Sequence, residues 1–418
     1  MNDFNDNPFL NDDNGNNHAH VNMNETMIIK PPTRAVRNNS YSKTNDSMKY
    51  KETISETQQV VNKHRIHPWK TMFSIIADIL ILGAILFGSY FFWLQFWTGI
   101  ESSQSQNQTI QNANWSKTDS TKIASAQNGE PPVQPNNPNY GDLIGQLYIP
   151  RFGNGWNRNI TQGTDWEQLG RHGLGHYENK AMAGQVGLFA IAGHVNGYGQ
   201  PLAQLDTMKD GDYIVVRTQD YWYVYKYESQ TVVDKDNREA IADVPFKPYD
   251  TPTERLMALT TCDPKYYMGP GETPNRRIAY AKFIYWAKVS DGTPKELVNT
   301  DDITASTDFV SNTTNTLANH MPDASNLIKY EVIAYIIVFI SALFAWQFKG
   351  IKKWREDYLN DKTVFSVFSW IYRIQPGVKP VRMILAGIFW ITVFTLLVAY
   401  ACPWAVAHIP ALQASAAM

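Results

Sequence analysis

Cysteine is nearly absent from this chain: Cys262 and Cys402 are the two in 418 residues. They lie far apart in unlike surroundings, a pattern that argues against a disulfide framework. The region around Cys262 has no second cysteine and no paired His or Cys at ligand spacing, which argues against a zinc site. The formal net charge is −2 and the basic residues form no long stripe, so nothing points to nucleic acid. No internal repeat is present. Apolar residues are scarce from Met1 to about Glu56, where Asn, Asp, Ser and Thr crowd together. Such a stretch buries too little surface to offset its ordering entropy and is expected to be disordered.

What is present is strongly segmented. Met72 to Trp97 and Met383 to Ala407 are each long and apolar enough to cross a bilayer core, which takes ~20 residues. Tyr330 to Phe348 is shorter and carries Glu331 near its start, but also reads as a span. The first of these begins too late for a signal peptide and fits an uncleaved anchor. Its one charge, Asp78, is expected near the interface. Lys63, Arg65 and Lys70 precede the first segment, Lys349, Lys352, Lys353 and Arg355 follow the second, and Lys379 and Arg382 precede the third. If all three cross, these clusters fall on one side, which the positive-inside bias makes cytoplasmic. The expected order is then a cytoplasmic, largely disordered region (1–70), a first span (71–98) and an extracytoplasmic linker (99–140). A catalytic domain (141–290), a second linker (291–328), a second span (329–348), a cytoplasmic loop (349–382), a third span (383–407) and a short outer C-terminus (408–418) follow.

The outer region has the texture of a mostly β domain. "IGQLYIP" reads as a strand stopped by its proline, and "TDWEQLGRHGLGHY" as a short helix opened by Thr164. "DYIVVRTQDYWYVYKYESQTVV" reads as a hairpin, and "RLMALTTC" and "RIAYAKFIYWAKV" as two more strands. Periodicity alone leaves barrel and sandwich open. The polar flanks on either side, one ending in "EPPVQPNNPNY", read as a stalk and a linker.

Cys262 closes a strand pattern, where side chains reach a cleft, whereas Cys402 lies in a membrane segment and is expected only to pack. A thiolate nucleophile needs a proton carrier and an anion-binding group. His194 ends the apolar run "LFAIAGH", and His176 sits in "GLGHY"; both are candidates for the first role. Arg276 and Arg277 open the strand after the loop "DPKYYMGPGETPN" and are candidates for the second. Successive strand residues face opposite ways, so one arginine at most shares the cysteine's face.

Taken together, "LYIPRFG", "GLGHYENKAMAGQVGLFAIAGHVNGYGQPLAQLDTMKDGD", "LTTCDP" and "RIAYAKF" resemble the sortases, membrane-anchored cysteine transpeptidases of Gram-positive bacteria, and class E sortases in particular. The resemblance implies an eight-stranded sortase β-barrel with short helices, here joined to transmembrane α-helices. It matches Cys262 to the nucleophile, His194 to the histidine and Arg276 to the arginine, with Arg277 as the fallback. Thr261 matches a threonine whose hydroxyl and backbone help form the oxyanion site, and His176 looks structural or substrate-adjacent. The implied reaction cleaves the Thr–Gly bond of an LPxTG or LAxTG sorting signal through a thioacyl-enzyme. The implied partners are surface proteins carrying that signal, an amine acceptor on a lipid II-type peptidoglycan precursor, and the membrane; no metal or organic cofactor is needed. A pilin polymerase and an inactive binding module on the same barrel are the alternative readings. The sequence departs from class E in its two extra spans and in Asp263, where histidine is common.

Overall fold

A 14-residue run rich in Tyr and Val, Tyr221–Asp234 (β6), folds back on Tyr213–Arg217 (β5) across the turn at 218–220, as the hairpin pattern predicts. The other strands are Leu143–Tyr148 (β1), Asn157–Gln162 (β2), Leu174–His176 (β3), Gly187–Ala192 (β4), Arg255–Asp263 (β7) and Asn275–Lys288 (β8). In the computed structural model, which describes residues 68–267, 272–298, 308–348, 350, 366–409 and 412, they close into a barrel. Its order is β1-β2-β3-β4-β7-β8-β6-β5. The mostly β character expected from composition is therefore a barrel and not a sandwich. β4 and β7 pair in parallel, and β7 and β8 pair antiparallel.

The two-residue period of β7 and β8 sorts their side chains. Met257, Leu259, Ala279 and Ala281 point into the barrel core with Ile144, Leu147 and Phe189. Ala258 and Ile278 point outward into a second apolar layer with Leu188, Ala190 and Ala240, roofed by the β6–β7 loop. Each aliphatic side chain fully buried this way contributes about 1.5–3 kcal/mol. The cross-strand register is thereby fixed, since a one-residue slip would turn every core side chain outward.

The apolar segments are helical. Pro68–Phe92 (α1) runs through a wide turn at Trp93–Trp97 into Thr98–Ala113 (α2). Ala324–Ala345 (α4) packs on Lys379–Leu396 (α6), which continues through Leu397–Ala401 into Cys402–His408 (α7). Three of these helices are long and apolar enough to cross a membrane. Cys402 is buried in the apolar cluster where α1 and α7 meet. Asp78 is buried too: it accepts hydrogen bonds from Ser366 Oγ (2.9 Å) and the Val367 amide (2.8 Å), at the start of Val367–Ile374 (α5). Those bonds satisfy a carboxylate that would be costly alone in an apolar helix.

Three local expectations are corrected. The polar stretch from Gly99, read as a stalk, stays helical to Ala113 because it has a partner: Phe309–His320 (α3), inside the second expected linker. Ser103 Oγ donates to Asn315 Oδ1 (2.8 Å) and Asn107 Nδ2 to Asn319 Oδ1 (3.0 Å), so the polar side chains form an interhelical ladder. α3 is itself tied to the barrel by Arg158, buried on β2, which donates to Ser311 Oγ (2.6 Å). Finally, the short helix at 166–172 is capped by Asp165 rather than Thr164, through the Glu167 and Gln168 amides. The expected disorder of the first residues concerns positions outside the described ones.

Candidate active site

Cys262 and Arg276 are direct cross-strand partners on β7 and β8, so their side chains lie on the same outer face. Arg277 opposes Thr261 and points the other way. Between the two candidate arginines, it is therefore Arg276 that shares the thiol's side. Arg276 Nη1 is steadied by the carbonyls of Thr273 (2.8 Å) and Asn275 (3.0 Å). Burial pushes the Cys262 thiol up, while the Arg276 charge and the Thr273 hydroxyl draw it down and Glu272 opposes them. Arg276 is thus the chief cation acting on the sulfur.

His194 comes from the adjacent strand. The parallel β4–β7 register pairs Ala192 with Thr260 and continues one step to Gly193, whose amide donates to the Thr260 carbonyl (3.1 Å). Thr261 Oγ1 then donates to the Gly193 carbonyl (2.7 Å). His194 follows directly, just beyond the end of the β4–β7 ladder. The Thr261 hydroxyl, expected to line the oxyanion site, is instead used on the inner face to anchor the residue before His194. Its backbone alone remains on the cysteine's strand edge.

The His194 ring is buried beneath two aromatics, Tyr198 (centroids 4.9 Å apart, 34° between planes) and Trp166 (5.9 Å, 75°). Burial holds its pKa down to about 4. Nε2 has no hydrogen-bond partner among the described residues. A neutral imidazole with one open nitrogen is the form this pocket favours.

His176 differs in its hydrogen bonds. It is fully buried on β3, with Nε2 donating to the Ala181 carbonyl (3.0 Å) and Nδ1 facing the Gln162 amide (2.9 Å). Burial brings its pKa down to about 4 as well, but both nitrogens are engaged in holding chain segments together. The neighbouring Tyr177, which sequence reasoning passed over, packs on the outer layer with Ala258 and Ile278; burial raises its phenol pKa, while the Arg276 charge and Thr260 draw it down and Cys262 opposes them. The "GHY" stretch could have flagged it, because β-strand alternation turns Tyr177 away from the buried His176.

Among the described residues no group of three or more His, Cys, Asp or Glu is disposed to hold a metal. The family model for the Sortase domain matches residues 147–284, which contain every residue just described. The chain belongs to the sortase family. Among curated relatives, this sortase is 25% identical over 232 residues to Sortase SrtE2 of Streptomyces coelicolor, a match spanning 54% of this chain and 87% of that protein. It is 28% identical over 233 residues to Sortase SrtE1 of the same organism, spanning 54% of this chain and 60% of that one. The solved SrtA sortase from Actinomyces oris is 36% identical, covering 42% of this chain and 97% of that structure, with a TM-score of 0.39.

Proposed function

We propose that this sortase is a membrane-bound cysteine transpeptidase whose nucleophile is Cys262. The observation that carries the reading is the cross-strand pairing of Cys262 with Arg276, beside the end of β4 from which the chain runs on to His194. The thiolate attacks the Thr–Gly carbonyl carbon of a sorting signal of the LPxTG or LAxTG type. Arg276 and nearby amides stabilise the oxyanion. His194 protonates the departing glycine amine, and the thioester is then resolved by an acceptor amine, with neutral His194 as base. That acceptor is an amine on a cell-wall precursor, so the product is a surface protein attached to the wall. The two curated relatives, both named as SrtE sortases, favour a class E assignment.

The electrostatics shape the first step. Attack needs thiolate and imidazolium together, yet burial raises the thiol and lowers the imidazole. The resting pair is therefore neutral, and the charged pair is a small fraction. Arg276 partly offsets this at the sulfur.

The packing also supports the inferred topology. The ends of α1 and α7 meet Tyr198 of the barrel, and Met321 and Ala324 at the start of α4 join them. Asp78, near the opposite end of α1, bonds to Ser366 and Val367 ahead of α6. With the basic clusters cytoplasmic, the barrel stands outside the cell at the outer membrane surface.

Mass spectrometry of the full chain with donor peptides carrying Pro or Ala at the second motif position, with and without an added amine, tests the reading. A thioester on Cys262 that amine resolves to a transpeptidation product is expected. No adduct on Cys262 with either peptide would overturn it, and product only with a lysine-bearing pilin segment would favour the polymerase.

A further inference from the structure

Two clefts share the turn at Gly155 and Trp156 on the outside of the barrel. One, of about 510 Å³, lies between that turn and the paired helices α2 and α3. The other, of about 440 Å³, lies between it and the ends of β1 and β5. β1 stands four strands from β7 in either direction round the barrel, so the clefts lie on the far side from Cys262. No residue lining them takes part in the site described above.

The first cleft is walled by primary amides. Asn107 and Gln111 enter it from α2, Asn315 and Asn319 from α3, and Asn157 from the start of β2. The interhelical ladder uses only part of them. Asn107 Oδ1, Asn315 Nδ2, Asn319 Nδ2 and both ends of the Gln111 amide have no partner among the described residues. Asn157 donates to the Gly155 carbonyl (3.0 Å) and keeps its Oδ1 open. Asn107, Gln111 and Asn319 are exposed, and the open atoms of Asn157 and Asn315 reach solvent. Accessible donors and acceptors thus stand side by side on one concave surface. A hydroxyl both donates and accepts, so neighbouring ring hydroxyls match such a set better than a ligand of donors alone.

The charge around the clefts is of one sign. Arg158 lines the first, Lys117 and Arg217 line the second, and no described Asp or Glu lines either. Arg158 spends its guanidinium on neutral oxygens, Ser311 Oγ and the Asn157 carbonyl (2.7 Å). Burial pulls its pKa down to about 10, against the field of Asp308, so it stays protonated at neutral pH. Arg217 lies over the rings of Trp115 (5.6 Å) and Trp222 (5.7 Å) and donates to the Ser116 carbonyl. Three cations without a lining carboxylate give the clefts a positive potential, which acts through space even where a guanidinium is covered.

We propose that the paired clefts bind an anionic oligosaccharide. Its ring hydroxyls exchange hydrogen bonds with the five amides, and its carboxylate or phosphate groups face Arg158, Lys117 and Arg217. The ligand is distinct from the acyl acceptor: the clefts offer no carboxylate to an amine and lie across the barrel from the thiol. The binding role does not rest on the transpeptidase reading.

Calorimetric titration of the full chain in phosphatidylcholine nanodiscs tests this with four probes. They are tetragalacturonate, the neutral galactose tetramer, a phosphodiester-linked sugar tetramer, and a polyglutamate of equal charge. At least one anionic sugar is expected to bind at least tenfold more tightly than both the neutral tetramer and polyglutamate, and the tighter of the two identifies the anion. The double variant Gln111→Leu, Asn319→Leu, confined to exposed side chains, should weaken that sugar at least tenfold. Lys117→Gln with Arg217→Gln should remove its advantage over the neutral tetramer. No binding of either anionic sugar, equal binding of polyglutamate, or unchanged affinity in the amide variant overturns the proposal.

Discussion

Arg277 donates two hydrogen bonds to one carboxylate oxygen of Asp263, from Nε at 3.0 Å and Nη2 at 2.6 Å. The residue that follows Cys262 thus has a definite task. It holds the second arginine on the inner face, with Gln230 Oε1 accepting from Arg277 Nη1 (3.1 Å). The β7–β8 register leaves Arg276 beside Cys262. Both members of the Asp263–Arg277 pair are mostly covered, so solvent screens it only in part.

The two arginines are therefore expected to fail differently. Arg276→Gln should lower the rate of thioester formation by about 10²–10³-fold, the typical loss of one oxyanion partner, with little change in melting temperature. Arg277→Gln should instead cost about 1–3 kcal/mol of stability by stranding Asp263, with a much smaller effect on rate. Single-turnover acylation and thermal melts on the same preparations distinguish them; equal kinetic losses would contradict the division.

Removing the aromatic cover should release His194. Burial alone holds its pKa down to about 4 from 6.5, and Trp166 supplies part of that burial. Trp166→Ala should move the imidazole titration upward, toward 6.5, as read by NMR of labelled histidine. The imidazolium fraction near neutral pH should rise about tenfold for each unit gained. No movement of the titration would place the desolvation elsewhere.

The same burial makes stability depend on pH. His194 and His176 both titrate near 4 in the folded protein and near 6.5 when unfolded. Above about 6.5 both states are neutral and pH has no effect. As pH falls below that, the unfolded chain takes up protons first, so stability declines until about pH 4 and then levels off. Each histidine contributes up to about 3 kcal/mol of this decline. Melting temperature measured across that window should show a shallower slope in His194→Gln than in the parent.

The first long apolar helix should communicate mechanically with the loop at 193–200 that carries His194. Gly99 of α2 lies against Gly199: a Cβ on Gly99 would stand 3.1 Å from the Gly199 backbone and 2.8 Å from Thr314 Cγ2 of α3. Thr98 Oγ1 accepts from the Tyr198 amide (2.9 Å), and Gln95 Nε2 donates to Asn196 Oδ1 (3.0 Å). Gly99→Val must push these apart, since the nearest atoms include backbone. Hydrogen exchange at residues 193–200 is expected to accelerate and thioester formation to slow by tenfold or more. An unchanged exchange pattern would show that the loop holds its shape without the helix.

Much of this protein is written in local patterns. Alternation in "RLMALTTC" and "RIAYAKF" identifies β7 and β8, because a strand's two faces meet different media and its side chains must match them. Uninterrupted apolar length marks the three helices, because a bilayer core accepts little else. Cys262, His194 and the arginine pair were legible as candidates for the same reason: strand ends carry side chains to an edge. Other features depended on contacts between residues far apart in the chain, to which periodicity is blind. Only the closed barrel's register puts Arg276 on the thiol's face and gives Thr261 to Gly193. Only α3 explains why a Ser-, Gln- and Asn-rich stretch stays helical after the first span: its polar side chains find partners more than 200 residues away. Likewise, the burial of His194 arises where the long apolar helices, the short turn before β3 and the loop at 193–200 converge. Composition sets what each segment can bury, but tertiary packing decides which surfaces meet and therefore which charges are desolvated.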